Sequence, residues 1–299
     1  MKELYLIQTP YIFMGIQGDP TQTPFSILGV PFASTNSFRG GSRFAPLAVR
    51  IASQSLEAYS FRAGVDLESN PPYDEGDVAV THGSAETTLR NLAAVTEELV
   101  KARRVPAVIG GDHTITYGVI EGLVRAGIKP CLLIFDAHLD FRHEYLGYKW
   151  SHACVTRRIS ELIGAQNILV VGVRAVSSRE LRDAKSLELN YIPMITILRS
   201  TLRSVSSRIS KSLERCPYIY VSVDMDALDP AYAPGVATPE PEEMTPTQLL
   251  NLLHASTDER VVGFDVVEVD PQTDNSHITS FLAARIMMEI MSYLIASRR

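Results

Sequence analysis

Hydrophobic and polar positions in this chain follow two different periods, and the switches between them mark its elements. Near-continuous apolar runs cover Ser26–Phe32, Val105–Ile109, Cys131–Phe135, Asn167–Val173, Tyr191–Ile197, Tyr218–Val223 and Val261–Val267. Runs this short and this apolar read as strands buried on both faces. Asp74–Val78 reads as a turn feeding one more short strand. Between these runs a three-to-four-residue period predicts helices over Leu47–Tyr59, 85–103, Thr114–Ala126, Cys154–Ile163, 177–188 and 201–214, with two more beginning at Pro246 and near 278. In the 85–103 helix, Leu89, Leu92, Ala93, Val95, Leu99 and Val100 form the apolar stripe. Thr245-Pro246-Thr247-Gln248 is a helix start, with Thr as cap, Pro at the first helical position and Gln three residues after the cap.

Alternating strands and helices imply right-handed crossovers and a parallel sheet covered by helices on both faces. No Pro/Gly/Ser-rich linker, repeat or low-complexity segment interrupts the pattern, so residues 1–299 are expected to form one domain. In such sheets ligands bind beyond the carboxyl ends of the strands. The polar clusters of this chain fall at those ends.

Composition changes the picture mainly by exclusion. The 45% apolar and 21% charged residues are those of an ordinary globular protein. A net charge of −6, a pI near 5.7 and the lack of a basic cluster argue against a nucleic-acid or anionic-membrane partner. Met1-Lys2-Glu3-Leu4-Tyr5 lacks a basic region followed by a long apolar stretch, and no window approaches about eighteen apolar residues. Neither a signal peptide nor a membrane span is expected. Cys131, Cys154 and Cys216 are few, odd in number and far apart, which fits free thiols in a reducing compartment. A cytoplasmic protein is therefore expected.

The candidate chemistry begins at Asp136, His138 and Asp140, directly after the 131–135 strand. Side chains of an extended chain alternate between faces, so these three would point one way and Ala137 and Leu139 the other. Two carboxylates and an imidazole converging on one spot make a poor core and a good cation site. A solvated acidic loop has the same spacing, and the other strand ends decide between the two. His113 follows the 105–109 strand in Gly110-Gly111-Asp112-His113, and Asp224 and Asp226 follow the 218–223 strand. Taken singly, His113 reads as a capping or core histidine and the two aspartates as turn formers. Asp270, ahead of Pro271, reads as a turn residue.

One parallel sheet can bring these strand ends to one edge. His113, Asp136, His138, Asp140, Asp224 and Asp226 then offer four carboxylates and two imidazoles, a charge of −4 that two divalent cations balance. Oxygen-rich donors with some imidazole and no thiolate suit Mn2+. A two-metal centre activates a bridging water as hydroxide at neutral pH. The residues by themselves point to a binuclear metallohydrolase.

Gly-Gly-Asp-His at 110–113, Asp-Ala-His-Leu-Asp at 136–140 and Ser-Val-Asp-Met-Asp-Ala-Leu-Asp-Pro at 222–230 resemble the three signature motifs of the ureohydrolases. These are the arginase and agmatinase family of dimanganese enzymes, which hydrolyse a guanidinium to urea and an amine. The resemblance runs from about Gly29 to the final helix and takes in Gly29-Val30-Pro31-Phe32, residues 38–46, Ala233-Pro234-Gly235, Thr238-Pro239-Glu240 and Glu268. It implies a three-layer α/β/α fold with a mostly parallel central sheet of about eight strands, two Mn2+ per chain, and a homo-oligomer, trimer or hexamer. By the same resemblance His113, Asp136, Asp140 and Asp224 hold one ion, and Asp136, His138, Asp224 and Asp226 the other, with Asp136 and Asp224 bridging. A metal-bridging hydroxide would attack the guanidinium carbon, and Asp140 would pass its proton towards the leaving amine. Glu268 would pair with the guanidinium, as a planar two-donor fork demands, and His152 would shuttle protons. His143 reads as a solvated loop histidine, and His82, His254 and His277 carry no functional expectation.

Arginases read the substrate's α-carboxylate and α-amine with an Asn two residues beyond the position matching Asp140, where this chain has Arg142. Thr238-Pro239-Glu240 and the Phe38-Arg39-Gly40-Gly41 loop are more similar to agmatinase. The resemblance thus implies agmatine as substrate, cleaved to putrescine and urea. Three positions depart from the family pattern: Ala33 where an Asp is usual, Ala153 where a Gly is usual, and Glu242-Glu243 in place of Gly-Gly. That acidic pair either interacts with the dipole of the helix starting at Pro246 or receives the far ammonium of a diamine-like substrate. Guanidinobutyrate, guanidinopropionate, arginine and formimidoylglutamate are the alternative substrates. A deacetylase of related fold with one zinc ion has no need of both His113 and the Asp224/Asp226 pair. A non-catalytic regulatory member has no need of all six ligands with His152 and Glu268.

Overall fold

The computed structural model describes residues 2–242 and 244–298. Glu243 lies outside them, so of the acidic pair only Glu242 is placed, on an exposed bend at φ 62°. The strands are β1 (Leu6–Ile7), β2 (Phe25–Gly29), β3 (Tyr59–Ser60), β4 (Val65–Asp66), β5 (Tyr73–Val78), β6 (Val105–Ile109), β7 (Cys131–Phe135), β8 (Ile168–Val173), β9 (Asn190–Pro193), β10 (Ile219–Asp224) and β11 (Val261–Val267). The helices are α1 (Ala45–Ser53), α2 (Ala85–Lys101), α3 (Ile115–Arg125), α4 (Val155–Ile163), α5 (Ser178–Ser186), α6 (Met194–Leu198), α7 (Leu202–Ser212), α8 (Pro246–Ser256) and α9 (Ile278–Ser297).

Among the described residues the main sheet has nine strands in the order β1-β5-β2-β6-β11-β10-β7-β8-β9, every pair parallel except β1 with β5. Alternate residues of each strand feed opposite faces. In β7, Cys131, Leu133 and Phe135 join the core beneath α1, α7, α8 and α9. Leu132 and Ile134 join the core beneath α2, α3 and α4. Two helical layers around one sheet give the expected α/β/α architecture. The Thr245 cap forms as its sequence dictates, with Gln248 N–H donating to Thr245 Oγ1 and Thr245 N–H to Gln248 Oε1.

The expected mostly parallel sheet of about eight strands is found, with nine among the described residues, Leu6–Ile7 adding a two-residue antiparallel edge too short to show a period. Three expectations are corrected. Asp74–Val78 lies within strand β5 itself rather than in a turn before it. The strand expected over Tyr191–Ile197 stops at Pro193, which has no N–H for the ladder, and the chain turns into α6. Cys131 and Cys216 are joined in a disulfide, leaving Cys154 as the buried free cysteine. The two are 85 residues apart in sequence but adjacent in space, because β7 and β10 pair and Cys131 N–H donates to Tyr218 O. That bond removes the thiol argument for a reducing compartment.

By length and composition α9 could cross a bilayer, yet in this fold it is a core helix packed on α1, α8 and β11. Its Glu289 is buried and accepts a hydrogen bond from Ser60 Oγ at 2.7 Å. For the site, the decisive feature is that β6, β11, β10 and β7 are consecutive at the middle of the sheet. Their carboxyl ends therefore open onto one place.

Candidate active site

After β6 the chain passes through Gly110 and Gly111 to Asp112 and His113. A Cβ on Gly111 would sit 1.8 Å from Phe32 O, so only glycine lets this turn lie against the loop after β2. His113 Nδ1 then lies 3.1 Å from Asp136 Oδ2, 3.2 Å from Asp140 Oδ2 and 3.2 Å from Asp224 Oδ2. Beside it, His138 Nδ1 lies 2.9 Å from Asp226 Oδ2 and 3.6 Å from Asp136 Oδ1. The ligand atoms fall into two compact groups, His113/Asp136/Asp140 and Asp136/His138/Asp226, with Asp136 common to both. Asp224 adjoins the first group through Oδ2, while its Oδ1 accepts from Asp226 N–H at 2.9 Å.

These groups have the properties of cation sites. His113 Nδ1 and Asp136 Oδ2 are fully buried, yet neither has an aligned hydrogen-bond partner. A ring nitrogen crowded by three carboxylate oxygens with no hydrogen bond among them is costly unless a cation stands between. The hydrogen bonds behind His113 support the same reading. His113 Nε2 faces Ser222 Oγ at 3.1 Å, and that hydroxyl donates to Asp265 Oδ1 at 2.6 Å. Asp265 is wholly buried on β11 and also accepts from Thr116 Oγ1 and Tyr220 OH, both at 2.9 Å. As a carboxylate it offers only acceptors, so the Ser222 hydroxyl proton is committed to it and Ser222 Oγ takes a proton from Nε2. Once a cation displaces the Nδ1 proton, the Nδ1 lone pair is the one that faces it, as a metal-binding imidazole requires.

A cavity of ≈ 270 Å³ opens over both groups. His138, Asp140, Arg142, Tyr145, His152, Ala153, Glu180, Glu240 and Glu268 are among the residues that line it. Glu268 is buried at φ 63°, an uncommon backbone state for a residue with a side chain, and its Oε1 accepts His113 N–H at 2.7 Å. Burial and the nearby Asp224 and Asp112 push its carboxyl well above the usual range. Burial lowers His152 to about 4, so its imidazole is neutral at pH 7. His143, His82, His254 and His277 are exposed and none lines this cavity. Asp270 is a turn residue, its Oδ1 accepting from Gln272 N–H.

Residues 23–292 match the Arginase family. The chain belongs to the arginase family. A Methanothermus fervidus protein described as an uncharacterized 32.2 kDa protein in the hmfB 3' region is 38% identical over 247 residues, 82% of this chain and 83% of its own. The human mitochondrial guanidino acid hydrolase is 32% identical over 284 residues, 93% of this chain and 80% of its own. The crystal structure of agmatine ureohydrolase from Thermoplasma volcanium matches with a TM-score of 0.88 at 32% identity, covering 97% of this chain and 96% of that one.

Within the arginase-family scaffold, several side chains around the site went unread in the sequence. Asp265 carries a signal, an ionisable residue inside the apolar run Val261–Val267. Glu180 lines the cavity from the first turn of α5, where it also completes a capping box with Ser177. Arg174 reaches across the site to the carbonyls of Gly172, Asp226 and Glu240. Thr35 and Ser222 are small polar residues with no local pattern to mark them.

Cation binding should depend steeply on pH. Burial opposes a charged His113, but the surrounding carboxylates outweigh it and raise the imidazole well above its ordinary value. His138 is raised in the same way by Asp226 and Asp136. Burial and Asp136 together lift Asp140 to about 7. The cation-free site therefore holds protons at neutral pH that a metal must displace, and affinity rises with pH. Each proton released strengthens binding about tenfold per pH unit. Titration of the metal-free protein with Mn2+ at pH 6 and pH 7 is expected to show at least that gain, and equal affinities would contradict the site.

Proposed function

We propose that the chain is a binuclear manganese hydrolase that cleaves agmatine to putrescine and urea. The carrying observation is the charge of the cavity. Asp140, Asp224, Asp226, Glu180, Glu240 and Glu268 line it against one arginine, Arg142. With the four ligand aspartates, Asp136 included, balanced by two divalent cations, the remaining charged side chains among the described residues at the cavity are three glutamates and Arg142, with Arg174 bonded to carbonyls beside them. Such an acidic lining favours a substrate with a guanidinium at one end and an ammonium at the other over one that ends in a carboxylate.

His113, Asp136, His138, Asp140, Asp224 and Asp226 would hold the two ions, which when bound supply Lewis acidity and activate water at neutral pH. The rest is the work of this chain's side chains. Glu268 accepts from two guanidinium N–H groups and turns the planar carbon towards the ion pair. Asp140 holds the proton lost by the attacking water. Asp140 then gives that proton to the departing amine as the C–N bond breaks, and His152, neutral at pH 7, is free to accept a proton and pass it on to solvent. The family resemblance supports a homo-oligomer, trimer or hexamer.

Arg142 favours a second reading, a guanidino acid whose carboxylate meets that arginine. It is already engaged, 3.9 Å from Glu180 Oε2 and over the Tyr145 ring at 5.5 Å, which supports the first reading. Urea release from agmatine, arginine, 4-guanidinobutyrate and 3-guanidinopropionate with Mn2+ decides. Agmatine is expected to lead in kcat/KM by about fivefold, the upper value of one exposed charge pair at about 1 kcal/mol. Preference for a carboxylate-bearing substrate would replace agmatine with that class.

A further inference from the structure

Thr35 lies in the loop after β2 and carries none of the chemistry assigned above, yet its hydroxyl is the meeting point of three segments. Thr35 Oγ1 accepts the backbone N–H of His152 at 3.0 Å and stands 3.4 Å from the ring nitrogen His152 Nδ1. The same oxygen donates to Asp112 Oδ2 at 3.0 Å, and Thr35 N–H reaches that oxygen at 3.1 Å. Thr114 Oγ1 lies 2.9 Å away, completing the set. Asp112 is wholly buried beside His113, so the clamp is anchored in the interior, directly after β6.

We propose that Thr35 is the positioning residue for His152, fixing its backbone and the Nδ1 side of its ring so that the other ring nitrogen is presented to the cavity. The proposal rests on reading His152 as the proton-carrying side chain. A hydroxyl suits the task better than a carboxylate would. Its own proton goes to Asp112, so towards Nδ1 it can only accept, and without adding a charge it lets the ring gain and lose a proton at the far nitrogen while keeping its support. Ser151 Oγ, also 3.4 Å from Nδ1, offers a second contact of the same kind, but Ser151 directly precedes His152 in the same loop and cannot anchor that loop to another segment. Thr35 is the contact that ties this loop to the sheet through Asp112.

The test uses the full chain loaded with Mn2+ and the guanidino compound that it hydrolyses fastest. Thr35→Val keeps the shape and removes the hydroxyl, and Thr35→Ser keeps the hydroxyl. The Val variant is expected to lose 10- to 100-fold in kcat, with KM within about twofold and two ions per chain retained. The Ser variant should recover to within about threefold of the parent. Combined with His152→Ala, Thr35→Val should cost little more than His152→Ala alone, because both act through one ring. Losses that multiply, a Ser variant as poor as Val, or loss of manganese from Thr35→Val would overturn the proposal. If His152→Ala itself leaves kcat unchanged, the proton-carrier reading fails and takes the proposal with it. A damaged His152→Ala beside an intact Thr35→Val would reject the proposal alone.

Discussion

Asp136→Asn is expected to lower kcat/KM for urea release by at least about 10³-fold, since removing a shell that only supports a metal ligand already costs 10- to 100-fold. Asp136 is the one side chain common to both cation groups, facing His113 through Oδ2 and His138 through Oδ1. Asparagine keeps the shape, and its amide oxygen can still accept the His138 N–H that Asp136 Oδ1 now takes at 2.6 Å. What is lost is the charge and one of the two oxygens, so the variant should bind fewer than two ions. Thermal unfolding gives a readout independent of turnover. Saturating Mn2+ is expected to stabilise the parent by about 2.7 kcal/mol per site at a hundredfold excess over Kd, and the variant should lose most of that gain. Without metal the two proteins should unfold at similar temperatures, because the substitution removes one of several crowded carboxylates. A variant that keeps two ions and more than a tenth of the activity would show that Asp136 is not shared.

The order of elements and the place of the site were legible because both depend on short-range pattern. β6, β7 and β11 sit where their apolar runs lie, and the polar clusters follow those runs directly. The convergence of the Asp136 stretch was legible for a reason only partly right. Ala137 and Leu139 are fully buried away from the site, as period two predicts, and His138 still bridges to Ala175 in an extended conformation. Asp140, however, sits at φ 49°, so it reaches His113 through a left-handed turn rather than by alternation. Periodicity placed the residue correctly and the backbone that delivers it wrongly.

What stayed hidden depends on contacts between distant segments. Ser222 is one polar residue in a strand, and its role as the link from His113 to Asp265 exists only once β6, β10 and β11 lie side by side. Thr35 meets His152 from 117 residues away. The disulfide depends likewise on β7 and β10 being neighbours, so spacing along the chain could not reveal it. Local pattern supplies the ligands of this site, and tertiary contact supplies what aims them.

Glu268→Gln is the second large loss expected, about 10²- to 10⁴-fold in kcat/KM, from two charge-assisted hydrogen bonds of about 1.5–3 kcal/mol each. The residue is held in a backbone state that costs a non-glycine residue on the order of 1–3 kcal/mol. It is fixed there by Glu268 N–H donating to Gly111 O at 2.9 Å and by Oε1 accepting from His113 N–H at 2.7 Å. Glutamine preserves both contacts through its own backbone and amide oxygen, so the β6 turn and His113 should stay in place and manganese content should not change. The guanidinium, however, meets a neutral amide whose NH2 group donates towards N–H groups that need acceptors. KM should therefore rise together with a fall in kcat, because both binding and orientation of the planar carbon depend on the charge. This separates Glu268 from the metal ligands, whose replacement removes ions, and from His152, whose replacement should spare KM. A Glu268→Gln protein with two ions and kcat/KM within about fivefold of the parent would place guanidinium recognition elsewhere, with Glu240 and Glu180 the remaining carboxylates outside the cation groups on that wall.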